Sequence, residues 1–176
     1  MHSLRSGFSL GNHPAPGVSV FKLVVAYADF GNGILARQFC EEFGKQLPQA
    51  CQLITRFLKF EDLLSLQVSD DMTREAEAAD MVVIAASEGA ELPDRVKDWL
   101  WSWRVEKGAR DRVLMALIHR GPLTPDHHEP VRSLLRQVAR RMGMKFMSQS
   151  LEGLAPEPAA GLPLTPNPQA FQSGRM

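Results

Sequence analysis

Residues 78–103 read AADMVVIAASEGAELPDRVKDWLWSW, and this stretch decides the fold. Met81 to Ala86 is an unbroken apolar run. It is far shorter than the roughly 20 residues that cross a bilayer, and it suits a strand buried on both faces of a parallel sheet. Asp80 precedes it and the turn-forming segment Ser87 to Glu91 follows it. Pro93 fits the first turn of a helix, where a missing N–H leaves no bond unmade. From there Val96, Trp99, Leu100 and Trp103 recur at helical spacing and form one apolar face of a helix that Gly108 ends. Trp101 stands about 140° around the helix from Val96, at 100° per residue, and belongs outside or at an edge.

The same strand-loop-helix unit repeats outward in both directions. Upstream, Val18 to Ala28 (VSVFKLVVAYA) is a β-branched and aromatic run that predicts a strand. The turn-rich Asp29 to Gly33 (DFGNG) leads to a helix over Ile34 to Gln46, with Leu35, Phe39, Phe43 and Leu47 every four residues and Pro48 as its stop. Cys51 to Leu58 predicts a second strand and Lys59 to Leu66 a turn or short helix. Asp70 or Asp71 can cap a helix over Met72 to Ala79. Downstream, Val113 to Ile118 predicts a fourth strand. Pro130 opens a helix with the stripe Val131, Leu134, Leu135, Val138 and Met142, ended by Gly143, and Met144 to Met147 is a short fifth strand. Strands alternating with helices over short connections predict a doubly wound α/β fold, a five-stranded parallel sheet with helices on both faces. Five strands in this space fit the flavodoxin-like order 2-1-3-4-5.

A length of 176 residues with 44% hydrophobic and 23% charged residues fits one soluble domain. Residues 1–17 and the Pro-rich 151–176 read as tails, which leaves 18–150 as the folded unit. Pro163 and Pro166 have PxxP spacing. Cys40 and Cys51 are neither a CxxC pair nor near zinc-spaced histidines, so they read as free thiols in a reducing, cytoplasmic compartment. The first twenty residues hold no apolar run of signal-peptide length. Lys plus Arg equals Asp plus Glu at 20 each, which argues against a general nucleic-acid or anionic-membrane binder. That neutrality has two unlike halves. Val18 to Asp94 carries 6 basic and 13 acidic residues, a net of −7; Arg95 to Ser150 carries 12 and 5, a net of +7. A charged partner, or salt-sensitive homo-oligomer contacts between opposite faces, is the expectation.

Ligands of such sheets sit beyond the carboxyl ends of the strands, near the point where strand order reverses. The loops concerned are Ala28–Gly33, Ser87–Asp94 and His119–Glu129. Here the 78–103 stretch resembles the third strand and following helix of the flavodoxin-like NAD(P)H-dependent FMN reductases, with Pro93, Lys97 and Trp101 at or near the family's Pro, Lys and Trp. The Gly31-Asn32 pair in the first loop is similar to the flavodoxin loop. The resemblance implies FMN as cofactor and oxidoreductase activity. Asp29, Phe30, Gly31, Asn32 and Gly33 would then hold the phosphate, and Ser87, Glu88, Gly89 and Leu92 would lie by the isoalloxazine.

The departures from that family point elsewhere. The flavodoxin phosphate loop uses Ser and Thr hydroxyls with backbone N–H groups at a helix N-terminus, and the FMN-reductase version has Ser and Arg; this loop has no Ser, Thr or Arg and carries Asp29. The loop after the third strand has Glu88 and Glu91 and no aromatic ring. The phospho-accepting Asp of response-regulator receivers is missing too, since the third strand ends Ala85-Ala86-Ser87. No G-x-S-x-G elbow surrounds Ser87. His119, His127 and His128, with Asp126 and Glu129, match no metal template and read as surface residues. Arg132, Arg136, Arg140 and Arg141 make a basic helix face opposite the apolar stripe. Two expectations follow: a non-catalytic partner-binding or regulatory module on this fold, or an FMN-dependent reductase with an atypical phosphate loop.

Overall fold

The computed structural model describes residues 17–104, 111–120 and 129–152. In chain order these form β1 (Ser19–Tyr27), α1 (Phe30–Gln46), β2 (Cys51–Lys59), α2 (Leu66–Ala78), β3 (Met81–Ser87), α3 (Asp94–Ser102), β4 (Val113–Arg120), α4 (Pro130–Met142) and β5 (Lys145–Glu152). A 3-10 turn over Phe60–Leu64 joins β2 to α2. All strand pairs are parallel and the order is β2-β1-β3-β4-β5, the flavodoxin-like order expected from the sequence.

Each central strand is apolar on both sides, and its two-residue period divides the core. Leu23 and Val25, Val83 and Ala85, and Met115 and Leu117 face α1, where Ala36 and Cys40 are buried against them. Val24 and Ala26, Val82 and Ile84, and Leu114 and Ala116 face the opposite layer, built from α2, α3 and α4. Trp99 and Trp103 are buried there and pack edge to face, 4.9 Å between centroids. Trp101 is half-buried at the margin, with the Arg141 guanidinium over its ring. Both cysteines are free, Cys40 buried and Cys51 half-buried. No described helix is long and apolar enough to cross a membrane.

Four boundaries differ from the sequence reading, each for a local reason. α1 starts at Phe30 and not at Ile34, because Asp29 caps it and draws DFGNG into its first turn. α2 starts at Leu66 and not at Met72; Ser65 holds the cap position, so Asp70 and Asp71 lie inside the helix. β5 runs for eight residues to Glu152 and not for the four of Met144–Met147. Its polar Ser148, Gln149 and Ser150 hide the strand from any hydrophobic pattern, and pairing with β4 defines it. α4 begins at Pro130 and ends at Gly143 as read, the glycine taking the left-handed conformation at φ +64° that favours a residue without Cβ. α3 ends at Ser102 and not at Gly108, because Trp103 is extended (φ −61°, ψ 138°) and the Arg104 N–H donates to the Glu77 carboxylate at 2.7 Å; Gly108 itself lies outside the described residues.

The ladders are unequal. β1 pairs with β2 at nine positions, β4 with β5 at eight and β3 with β4 at seven, but β1 with β3 at five. Side chains tie both ends of that shortest seam. At the amino end the Lys22 N–H donates to the Asp80 carboxylate (2.8 Å) and the Asp80 N–H to the Lys22 carbonyl (2.9 Å). At the carboxyl end Asn32 Nδ2 donates to Ser87 Oγ (3.2 Å). Near the amino edge, buried Arg112 donates to the Ala76 and Ala79 carbonyls at 2.7 and 3.1 Å, a cation on the negative end of α2.

Candidate functional site

Only Ala28 and Asp29 separate β1 from α1. Asp29 is extended (φ −148°, ψ 179°), and its Oδ1 accepts the Asn32 N–H at 2.9 Å while its carbonyl accepts the Gly33 N–H at 2.9 Å. The helix thus supplies its own anion at its N-terminus, where a bound phosphate would take N–H groups. Phe30 is 80% exposed beside exposed Gly31. Asn32 is 1% exposed; its Nδ2 reaches Ser87, and its Oδ1 has no hydrogen-bond partner among the described residues. A buried acceptor left unpaired costs about 1–3 kcal/mol. Gly33 matters for space: a Cβ there would stand 3.0 Å from the Tyr27 ring, so the ring lies against the first turn of α1.

Beyond β3, the Glu88 N–H donates to the His119 carbonyl (2.8 Å) and the Glu88 carboxylate is 3.4 Å from Arg120. Gly89 has φ +73° and closes the turn in which the Ala90 N–H reaches the Ser87 carbonyl at 3.2 Å. Leu92 is 3% exposed and packs in the core under α2, α3 and α4. Across the crevice, Arg132 pairs with Glu129 and donates to the Ser148 and Ser150 hydroxyls at 2.6 and 2.5 Å.

The space at the strand ends follows from these contacts. Between Ser87–Ala90 and Glu129–Arg132 the described residues leave about 10 Å³, room for one water. At the ends of β1 and β2 a cleft of about 300 Å³ opens between Tyr27, Phe30, Gly33, Ile34, Arg37 and Phe57. That is the lower bound of ordinary small-molecule sites. A larger groove of about 570 Å³ between α2 and α3 is lined by charges of both signs, Asp70, Arg74, Glu77, Arg95, Asp98 and Arg104, as a solvated helix face would be.

The structure therefore brings Asp29 to Gly33 and Ser87 together around one junction, linked by Asn32. It places Glu88 and Gly89 at the neighbouring loop and Leu92 away from both. The residues of the first loop do not fit an FMN phosphate, because the Asp29 carboxylate takes the helix N-terminus and Ala28–Gly33 carries no hydroxyl. Among the described residues no three His, Cys, Asp or Glu side chains cluster as metal ligands. Asp126, His127 and His128 lie outside the described residues, as do Pro163 and Pro166. Sequence reasoning missed the cleft: Ile34, Arg37 and Phe57 were not singled out. The available signal was Phe57, a large ring in a strand whose neighbour Arg56 gives no hint of a second buried face.

No protein-family model matches the chain, and no curated protein does. Solved structures do match. One is Smu.1420 from Streptococcus mutans UA159, at 11% identity and a TM-score of 0.51, covering 76% of this chain and 88% of that one. Another is the flavodoxin of Streptococcus pneumonia TIGR4, at 12% identity and a TM-score of 0.46, covering 79% and 88%. The first likeness shows the flavodoxin-like fold and nothing finer.

Proposed function

We propose that this flavodoxin-like domain is a non-catalytic module that works by binding a partner and does not use flavin mononucleotide. The observation that carries the reading is the Asp29 cap: its carboxylate already accepts the Asn32 N–H at the head of α1. Two like charges about 4 Å apart repel by ~1–4 kcal/mol between bulk water and a protein surface, so this position opposes a phosphate dianion.

The sheet's charge polarity supports the partner half of the reading. α4 carries Arg132, Arg136, Arg140 and Arg141 and no acid, at the opposite edge from the acidic α2 with Asp70, Asp71, Glu75 and Glu77. An acidic surface on a partner, a second copy included, complements the arginine face.

The test is direct. The purified chain should be colourless, and titrated FMN should keep its free fluorescence. A yellow preparation or saturable quenching would overturn the reading and favour the reductase. Asp29→Asn, which can still cap, should raise any residual FMN affinity; an unchanged affinity would remove the electrostatic explanation. Sedimentation at low and high salt examines the charged contact, and the same assembly state at both would count against it.

A further inference from the structure

We infer that the cleft at the carboxyl ends of β1 and β2 binds a planar aromatic carboxylate. This goes beyond the partner reading and does not depend on it. The cleft lies on the α1 face of the sheet near the carboxyl ends of β1 and β2, one strand away from the β1/β3 switch point where ligands of this fold sit, so it is a second position and not the fold's usual one. This cleft offers about 300 Å³ among the described residues.

Its chemistry is specific. Three aromatic rings, Tyr27, Phe30 and Phe57, and Ile34 supply apolar contact, and Arg37 is the one charged side chain in the lining. The Arg37 guanidinium sits over the Phe57 ring, 5.5 Å from its centroid, and has no ion-pair partner among the described residues. A guanidinium held by an aromatic ring keeps its in-plane N–H groups for a carboxylate, and a planar carboxylate can take two of them. The absent side chain at Gly33 keeps the cleft open, because a Cβ there would press on the Tyr27 ring at 3.0 Å. The rings and Ile34 are paid no compensation for their exposure in the free chain: Phe30 is 80%, Ile34 43% and Phe57 38% exposed. A flat apolar ligand would cover them.

The experiment titrates 2-naphthoate and its neutral isostere 2-naphthamide into the full chain by calorimetry, with amide chemical shifts to locate the site. The carboxylate should bind one to one, roughly tenfold tighter than the amide, the size of one charge-assisted hydrogen-bond pair. Arg37→Gln should erase that preference and leave naphthamide affinity in place, and Phe57→Ala should weaken both. Arg37 is exposed, so an unchanged melting curve will show that Arg37→Gln stays folded. Equal affinities, a preference that survives Arg37→Gln, or no saturation into the millimolar range would overturn the proposal. So would concentration-dependent self-association abolished by Phe30→Ser, which would give the patch to a second copy. FMN binding would sink the partner reading and leave this one standing, so the two failures are distinct.

Discussion

The two edges of the sheet are finished differently. At the β5 edge the long cations are tied down: Arg132 bridges Glu129 and two serines of β5, Arg136 lies over Phe146 (5.3 Å), and Arg141 lies over Trp101 and donates to its carbonyl at 2.6 Å. Their aliphatic stems cover apolar surface while their heads stay wet. The β2 edge leaves its apolar side chains bare. Phe30, Ile34, Ile54, Phe57, Leu64 and Leu66 are the exposed large hydrophobics of that side, against Met147 alone at the other. One edge has charge with little bare apolar surface, and the other has bare apolar surface with one cation in its cleft that has no ion pair among the described residues. Recognition at the first should respond to salt, and recognition at the second to the shape and apolarity of the ligand.

The largest expected break in this contrast is at the tied edge. Arg132→Ala removes charge-assisted bonds to Ser148 and Ser150 and should cost about 1.5–3 kcal/mol in urea unfolding. A loss under about 0.5 kcal/mol would put Arg132 on a par with an ordinary surface residue. Next comes the head of α1. Asp29→Ala should cost about 1 kcal/mol by loss of the cap, while Asp29→Asn should cost little; equal losses would mean that the charge, and not the hydrogen bond, stabilises the helix. The smallest effect belongs to the bare edge. Phe30→Ser should change stability by less than about 0.5 kcal/mol and should raise solubility, and a larger loss in melting experiments would mean that the ring is packed and not displayed.

Cys40, on the buried face of α1, adds a pH test. Burial, with Glu41 adding to it, pushes its thiol from 9.0 to about 11. The folded chain holds this proton more tightly than the unfolded one, so the associated stability is intact below pH 9.0 and declines as pH rises toward about 11. Denaturation followed across that window should show the decline, and Cys40→Ala should flatten it. A thiol reagent should meanwhile label half-buried Cys51 well before Cys40.

Much of the fold could be read because its information is local. MVVIAA is apolar on both faces, and Pro130 and Gly143 mark the two ends of α4 by their own backbone chemistry. β5 could not be read in full, because Ser148, Gln149 and Ser150 become strand only through β4 and Arg132, partners far away in sequence. The site divides in the same way. Asp29 and Asn32 are three residues apart, and the first loop was singled out. The cleft depends on register: Val25 pairs with Phe57 and Tyr27 with Lys59, which sets the Phe57 ring beside a helix some twenty residues earlier in the chain. No spacing rule within either segment contains that meeting.

The five-pair seam between β1 and β3 has a consequence for how the molecule breathes. It is the natural parting line for a sub-global opening, and α1 lies across it as a splint, packed on Leu23 and Val25 on one side and on Val83 and Ala85 on the other. The first turn of that splint holds both Asn32, riveted to Ser87, and Gly33, in the wall of the cleft. A ligand lodged against that turn would therefore slow hydrogen exchange at the amides of Ala26, Tyr27 and Ala85, on both sides of the seam and beyond its own contacts.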